Sequence, residues 1–527
     1  MRRPSRRPLA RLACAAVLLA TAAGARAADP TANSWYRAGR AAVAAARDAV
    51  GTVARARNVI LFVGDGMGIT TVTAARIRQG QLHGQTGEEN VLAFETLPFT
   101  ALAKTYSTDF QVSDSAATIT AMLSGLKTRS GVIGVDETVA RDDAAAVAAG
   151  TVPTLFEQAE DRGMWTGVVT TTRITHATPA GAYAHTADRD WEQDGQLTPA
   201  AREAGVRDIA RQLVEVAHGD GFEVVLGGGR AAFLPATARD PQYPDQTGAR
   251  TDGQDLIKAW QTQHPDGAWV WTRDQLHAVD VARTPRVLGL FAPSHMHYEA
   301  DRAADAPAEP SLAEMTGRAL DVLERAPKGY VLLVEGGRID HAHHAGNAYR
   351  ALGETIAFSD AVRVALERTK RDDTLIVVTA DHSHTLQLAG YPKRGNPILG
   401  LVRGSSGEGA VSNEPSKDLS GRPYTTLSYA NGPGYTGASD AQPEGPKHFP
   451  HEPRSASGIT AGRPDLTAVP VEGRDYLQEA TVPLRGETHG GEDVPIYAGG
   501  PGAPLFHGVQ EQQFVYHAIA SALGWTN

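Results

Sequence analysis

The stretch Tyr330-Val331-Leu332-Leu333-Val334-Glu335-Gly336-Gly337-Arg338-Ile339-Asp340-His341-Ala342-His343-His344 constrains this chain more than any other. Five apolar residues bounded by polar ones have the length of a strand buried on both faces. The run ends in a carboxylate, and a second carboxylate and three imidazoles follow at once. Those are the groups from which zinc and magnesium sites are built. If the residues after Gly337 form a helix, Asp340 and His344 share one face and can grip one ion. Open α/β sheets place such groups at the carboxyl ends of their strands.

Two other segments repeat the design. Asn58-Val59-Ile60-Leu61-Phe62-Val63 runs into Gly64-Asp65-Gly66-Met67-Gly68, and Thr374 to Thr379 runs into Ala380-Asp381-His382. An acid after a strand is ordinarily a helix cap or a solvated turn. Three such ends in one chain, with Asp340 and His344 beside them, point to a common rim where acids would repel unless cations lay among them. Thr166–Thr170 and Glu223–Leu226 are further strand candidates, and helical and strand patterns alternate to about residue 392. That alternation predicts an α/β fold. From Tyr391 to about Arg485 the chain is rich in Gly, Pro, Ser and Thr, which predicts a small inserted subdomain or a flexible lid. Periodicity returns at Asp493–Ala498 and in a final helix expected over Val509–Leu523. An amphipathic helix is expected over residues 35–57.

The basic start (Arg2, Arg3, Arg6, Arg7, Arg11), the short apolar run Leu12–Ala23 and Ala25-Arg26-Ala27 predict a cleaved export signal over residues 1–27, of the general or the twin-arginine type. Export would place the chain in a periplasm or outside the cell. Cleavage would remove Cys14, the sole cysteine, so packing and bound metals rather than disulfides must hold the fold. The full chain carries a net charge of −10, and removal of six arginines would take it to −16. Nucleic acid and anionic membranes are therefore disfavoured as partners.

Ser113-Asp114-Ser115-Ala116-Ala117-Thr118 opens a helical stretch reaching Leu123. Ser113 or Asp114 suits an N-cap, and Ser115 suits a nucleophile at the helix start. A serine hydroxyl needs a base or a metal to activate it. No Gly-x-Ser-x-Gly elbow surrounds Ser115, so a metal is the expected activator.

Together, Asp65-Gly66-Met67-Gly68, Asp114-Ser115-Ala116-Ala117, Glu335 through His344, Thr379-Ala380-Asp381-His382 and Glu487-Thr488-His489-Gly490-Gly491-Glu492-Asp493 resemble the alkaline phosphatases. The likeness runs from about residue 35 to the C-terminus. His176-Ala177-Thr178-Pro179-Ala180, Tyr183-Ala184-His185-Thr186 and Gly337-Arg338-Ile339-Asp340-His341 look more like the animal members than the enterobacterial ones. The resemblance implies a three-layer sandwich with a large, mostly parallel central sheet, helices on both faces and an inserted cap. The implied parts are a helical arm (28–57), a core (58–390), the cap (391–487) and a C-terminal piece of the core (488–527). It implies hydrolysis of phosphate monoesters through a phosphoserine at a site with two Zn2+ and one Mg2+, with inorganic phosphate as product. Asp340, His344 and His489 would hold the first zinc. Asp65, Asp381, His382 and Ser115 would hold the second. Asp65, Thr178 and Glu335 would hold the magnesium. Arg189 would clamp phosphate. A homodimer is favoured, with a monomer as the alternative.

His176 and His341 replace an aspartate and a lysine of the enterobacterial members, which implies looser retention of magnesium. The animal members' separate calcium site is not expected here, because Leu290-Phe291-Ala292-Pro293 lacks its acid. His343 and His384 are read as supporting the ligands or facing substrate, and His185, His295 and His297 as structural. Gly227-Gly228-Gly229-Arg230 lacks the Lys-Ser/Thr of a P-loop and is read as a turn. A phosphodiesterase of the same metal architecture and a non-catalytic phosphate or metal scavenger are the competing readings.

Overall fold

A computed structural model describes residues 29–51, 53–306, 308–405, 410–418, 421–436, 445–450 and 463–525. The expected export signal (1–27) lies outside them. Among the described residues no helix is long and apolar enough to cross a membrane.

The strands are β1 (Asn58–Gly64), β2 (Phe99–Lys104), β3 (Trp165–Arg173), β4 (Val224–Gly228), β5 (Ala268–Val270), β6 (Val287–Leu290), β7 (Tyr330–Glu335), β8 (Thr374–Ala380), β9 (Ser383–His384), β10 (Leu386–Leu388), β11 (Arg403–Ser405), β12 (Val411–Pro415), β13 (Leu427–Gly432), β14 (Ala480–Pro483), β15 (His489–Gly490), β16 (Val494–Gly499) and β17 (Gly508–Glu511). Ten of them form one sheet in the order β17-β2-β16-β8-β1-β7-β3-β4-β6-β5. Every pairing is parallel except those of β16, which runs against both β2 and β8. The structure is thus α/β, as the alternating pattern predicted, with the large, mostly parallel sheet that the resemblance implied.

Burial explains the apolar runs. Val59–Val63, Val331–Val334 and Leu375–Val378 are all essentially inaccessible, because helices cover both faces of a parallel sheet. Each such side chain contributes roughly 1.5–3 kcal/mol relative to exposure. The register then aligns the strand ends: Val63 lies opposite Glu335 on one side and Thr379 on the other, and Thr170 lies opposite Glu335. One rim therefore collects the groups that follow β1, β3, β7 and β8.

Two expectations shift at element ends. The N-terminal helix spans Ser34–Val50 and stops at Gly51, whose φ of 78° suits glycine, so residues 53–57 lie outside it. The C-terminal helix is Phe514–Ala522, and Val509 lies in β17 instead. Pairing with β2 overrides the helical pattern there. Between β8 and β16 the chain forms small sheets, β10-β13-β14, β11-β12 and β15-β9, rather than further layers of the large one.

At the opposite rim, near the start of β3, two acids are buried together. Glu160 Oε1 accepts from Thr166 Oγ1 at 2.5 Å and Glu223 Oε2 from Thr166 N at 2.8 Å. Arg286 reaches Glu223 at 3.2 Å and Asp220 at 2.6 Å. Loss of water raises Glu160 to about 7, and loss of water together with the Glu160 charge raises Glu223 to about 9. Folded values above unfolded ones favour the folded state at low pH, and that advantage drains away as pH rises through 7 and then 9. Glu223→Gln, which keeps an acceptor for Thr166, is expected to flatten the fall of stability between pH 7 and 9 by up to about 1.4 kcal/mol per pH unit. Melting the metal-loaded variant and parent across that range checks this. An equal offset at every pH would refute it.

Candidate active site

Asp65 leaves β1 into a turn at Gly66, whose φ is 68°. A Cβ there would stand 2.3 Å from the His384 ring, so glycine is required by both conformation and space. The Gly66 amide donates to Asp381 Oδ1 at 2.9 Å, tying the ends of β1 and β8 together. Ser115 is the first residue of the helix Ser115–Ser124, capped by Asp114, which accepts from Ala117 N. The helix is buried throughout, and its N-terminal end meets the rim at Ser115. The helix Arg338–His344 follows β7 as anticipated and brings His344 Nε2 within 3.2 Å of Asp340 Oδ1.

The ten expected ligand, nucleophile and clamp residues fall into three groups and their surroundings. In the first, His344 Nε2, His489 Nε2 and Asp340 Oδ1 lie 3.2–3.4 Å from one another. In the second, His382 Nε2 lies 3.4 Å from Asp65 Oδ1, 3.3 Å from Asp381 Oδ2 and 3.2 Å from Ser115 Oγ. Ser115 Oγ is 3.4 Å from Asp65 Oδ1. Bonds of about 2.0–2.1 Å in a tetrahedron separate ligand atoms by about 3.3 Å. Both groups match that spacing, which is long for hydrogen bonds. The donor chemistry agrees. His344 Nδ1 and His489 Nδ1 donate to the carbonyls of Glu487 (2.5 Å) and Ser113 (2.7 Å). In neutral rings both Nε2 atoms are then lone pairs facing each other at 3.2 Å, an arrangement that asks for a cation between them.

The third group is Asp65, Glu335 and His176. Here Asp65 Oδ2, Glu335 Oε1, Thr178 Oγ1 and His176 Nδ1 are all buried with no hydrogen-bond partner. Four orphaned polar atoms are costly unless something polar satisfies them. The other Glu335 oxygen accepts from Thr170 and from Thr172 (3.0 Å), so its free oxygen is held toward the site.

The electrostatics without ions are unfavourable in a telling way. Burial and then the charges of Asp381, Asp340 and Glu335 raise Asp65 well above its ordinary range. Burial raises Asp381, and raises Glu335 to about 7. Burial would raise Asp340 too, but His344, His384 and His489 hold it well down. His384 donates from Nε2 to Asp340 Oδ1 (2.8 Å) and from Nδ1 to Glu487 Oε2 (2.5 Å). Both of its nitrogens are engaged by carboxylates, so it supports Asp340 from outside rather than offering a lone pair.

Arg189 donates to Asp114 Oδ2 at 3.0 Å and to His176 Nε2 at 3.2 Å, beside the start of the Ser115 helix. His176, His295 and His341 form a cluster with ring centroids 4.3–5.4 Å apart. Burial and neighbouring arginines keep all three neutral, His341 falling to about 3. His295, expected to be structural, thus stands at the edge of the site, and so do Glu487 and Tyr429. Tyr429, from β13, bonds His343 Nδ1 at 2.7 Å, and His343 stacks on His384. Glu487 opens the Glu487–Asp493 segment that the sequence singles out, whereas no local pattern marks His295 or Tyr429, which reach the rim only through the tertiary fold.

The family model for alkaline phosphatase matches residues 56–525. The chain belongs to the alkaline phosphatase family. It is 45% identical to the tissue-nonspecific alkaline phosphatase of Gallus gallus over 89% of this chain and 84% of that one. It is 41% identical to the corresponding Homo sapiens isozyme over 89% and 83%. The crystal structure of Thermus thermophilus alkaline phosphatase superposes with a TM-score of 0.61 at 26% identity, covering 90% of this chain and 92% of that one. As a member of the family, this protein is a phosphoric monoester hydrolase, and its similarity to animal enzymes agrees with the residues around His176 and His341.

Proposed function

We propose that this alkaline phosphatase hydrolyses phosphate monoesters through a phosphoseryl intermediate on Ser115, at a site loaded with two zinc ions and one magnesium ion. The observation that carries the reading is the convergence of Ser115 Oγ on His382 Nε2 and Asp65 Oδ1 at 3.2 and 3.4 Å. Asp340, His344 and His489 would hold the first zinc; Asp65, Asp381 and His382, with Ser115, the second; Asp65, Thr178 and Glu335 the magnesium. When bound, these ions supply positive charge that favours the serine alkoxide and the departing oxygen.

The chain's own groups do the rest. The Arg189 fork binds two phosphate oxygens, and Asp114 and His176 hold it in place. The amides at the start of the Ser115 helix add partial positive charge. Ser115 Oγ attacks phosphorus in line, the bond to the alcohol oxygen breaks, and the alcohol leaves on the side of Asp340, His344 and His489. Water then attacks the phosphoserine from that side, the Ser115 oxygen leaves, and phosphate is released. Two in-line steps give retention at phosphorus.

A panel of phosphate monoester, phosphodiester and sulfate ester tests the substrate class. The monoester should be turned over fastest. Arg189→Ala should lower its kcat/KM by roughly 10- to 1000-fold while changing the diester rate far less. A diester preferred by the parent would favour the diesterase reading, and metal uptake with no turnover a binding protein.

We also read residues 1–27 as an export signal, residues 391–487 as an inserted cap and the assembly as a homodimer. Sequencing the mature N-terminus and light scattering test the first and last.

A further inference from the structure

Glu487 carries no role in the reaction above, yet it bonds His344 directly and reaches Asp340 through His384. Its backbone N–H donates to His344 O at 2.9 Å, and its carbonyl accepts from His344 Nδ1 at 2.5 Å. Its Oε2 accepts from His384 Nδ1 at 2.5 Å, and His384 in turn donates to Asp340 Oδ1 at 2.8 Å. Its Oε1 accepts from Thr385 N and Thr385 Oγ1, both at 2.6 Å. The side chain is fully buried.

The same residue sits where the chain returns from the segment after β8. Gly432, at the end of β13 with φ 128°, lies so close that a Cβ there would come within 2.9 Å of Glu487 Cβ. Asn431 Oδ1 accepts from Thr488 N at 3.0 Å, and Asn431 Nδ2 donates to Thr488 Oγ1 at 2.9 Å. One residue thus packs against β13, bonds the segment after β8, and meets the first group at His344 directly and at Asp340 through His384.

We infer that Glu487 is a positioning residue that clamps Asp340, through His384, and His344 into ligand geometry, and so sets how firmly the first zinc is held. The inference rests on the metal assignment proposed above. Outer partners of metal ligands fix their orientation, and losing one typically costs 10–100-fold in affinity. The backbone bonds to His344 do not depend on the side chain. Glu487→Gln keeps an acceptor for Thr385 but removes the carboxylate that makes His384 a charged double donor, so it weakens the His384–Asp340 link selectively. The second group is reached through Gly66 and the Ser115 helix and should be untouched.

The test uses the full chain loaded with zinc and magnesium. Zinc loss to a chromogenic chelator is followed with time, and total metal is measured after dialysis. The parent should hold two equivalents of zinc, and Glu487→Gln should release one of them 10- to 100-fold faster while keeping the other at the parental rate. His384→Asn, which breaks the same link from its other end, should reproduce this if Glu487→Gln does not fold. Equal retention of both zincs in these variants overturns the clamp, and so does equal loss of both, which would mark a general structural role. A parent that binds no zinc would overturn the metal assignment itself.

Discussion

Ser115→Ala is expected to abolish phosphate trapped on the chain by acid quenching and to lower kcat/KM by about 10^4-fold or more. Removing a nucleophile from a working constellation has effects of that order. The fold should tolerate the change. Asp114, not Ser115, caps the helix, and alanine is a better helix former than serine. Ser115 Oγ makes only the long contacts to Asp65 and His382, so alanine leaves no strong hydrogen bond unpaired. Phosphate should still bind, since Arg189 and its supports at Asp114 and His176 remain. Labelled phosphate appearing on the alanine variant would remove Ser115 from its role. A loss of activity matched by a large drop in melting temperature would assign the effect to folding instead.

Stripping the ions is expected to have the second largest effect. Asp65, Glu335, Asp340 and Asp381 are each at most 4% exposed, and burial raises Asp65, Glu335 and Asp381 above their ordinary range when no cation is present. Chelation at pH 8 should remove all activity. An ion held at a thousand times its Kd contributes about 4 kcal/mol to stability, so the melting temperature should drop by roughly 10 °C or more. The gap should narrow toward pH 5. There the metal-free acids bind protons in place of ions, while the ligands lose affinity for metal as they protonate. Zinc should restore most of the rate, and added magnesium should raise it further, because a neutral His176 rather than a carboxylate faces the third group. Metal-free and metal-loaded samples melting together at pH 8 would contradict the site, and a flat magnesium titration would contradict loose retention of the third ion.

How much was legible followed from the range of the interactions. The β1, β7 and β8 runs were readable because strands buried on both faces need unbroken apolar residues. The acids after them were readable because glycines and carboxylates at strand ends are local features. Asp340 and His344 were readable because four residues make one helical turn. Val509 was misassigned to a helix because its neighbours carry mixed periodicity and only pairing with β2 decides its state. His295 reads as structural from the chain because nothing near Ser294 or Met296 reveals that its ring meets His176 and His341.

His489 shows the division most clearly. Its residue type and the Glu487–Asp493 segment were recognisable from the chain alone, but its place beside His344, 145 residues earlier, was not a local property. The tertiary structure decides it through β16. That strand runs antiparallel to β8, with Ile496 opposite Thr379. Residues before β16 therefore reach the rim that residues after β1, β7 and β8 also reach. Residue type and short spacing alone mark which groups could ligate and which segments carry them. The direction of one strand, set by packing across the whole sheet, decided that His489 and Glu487 stand beside Asp340 and His344.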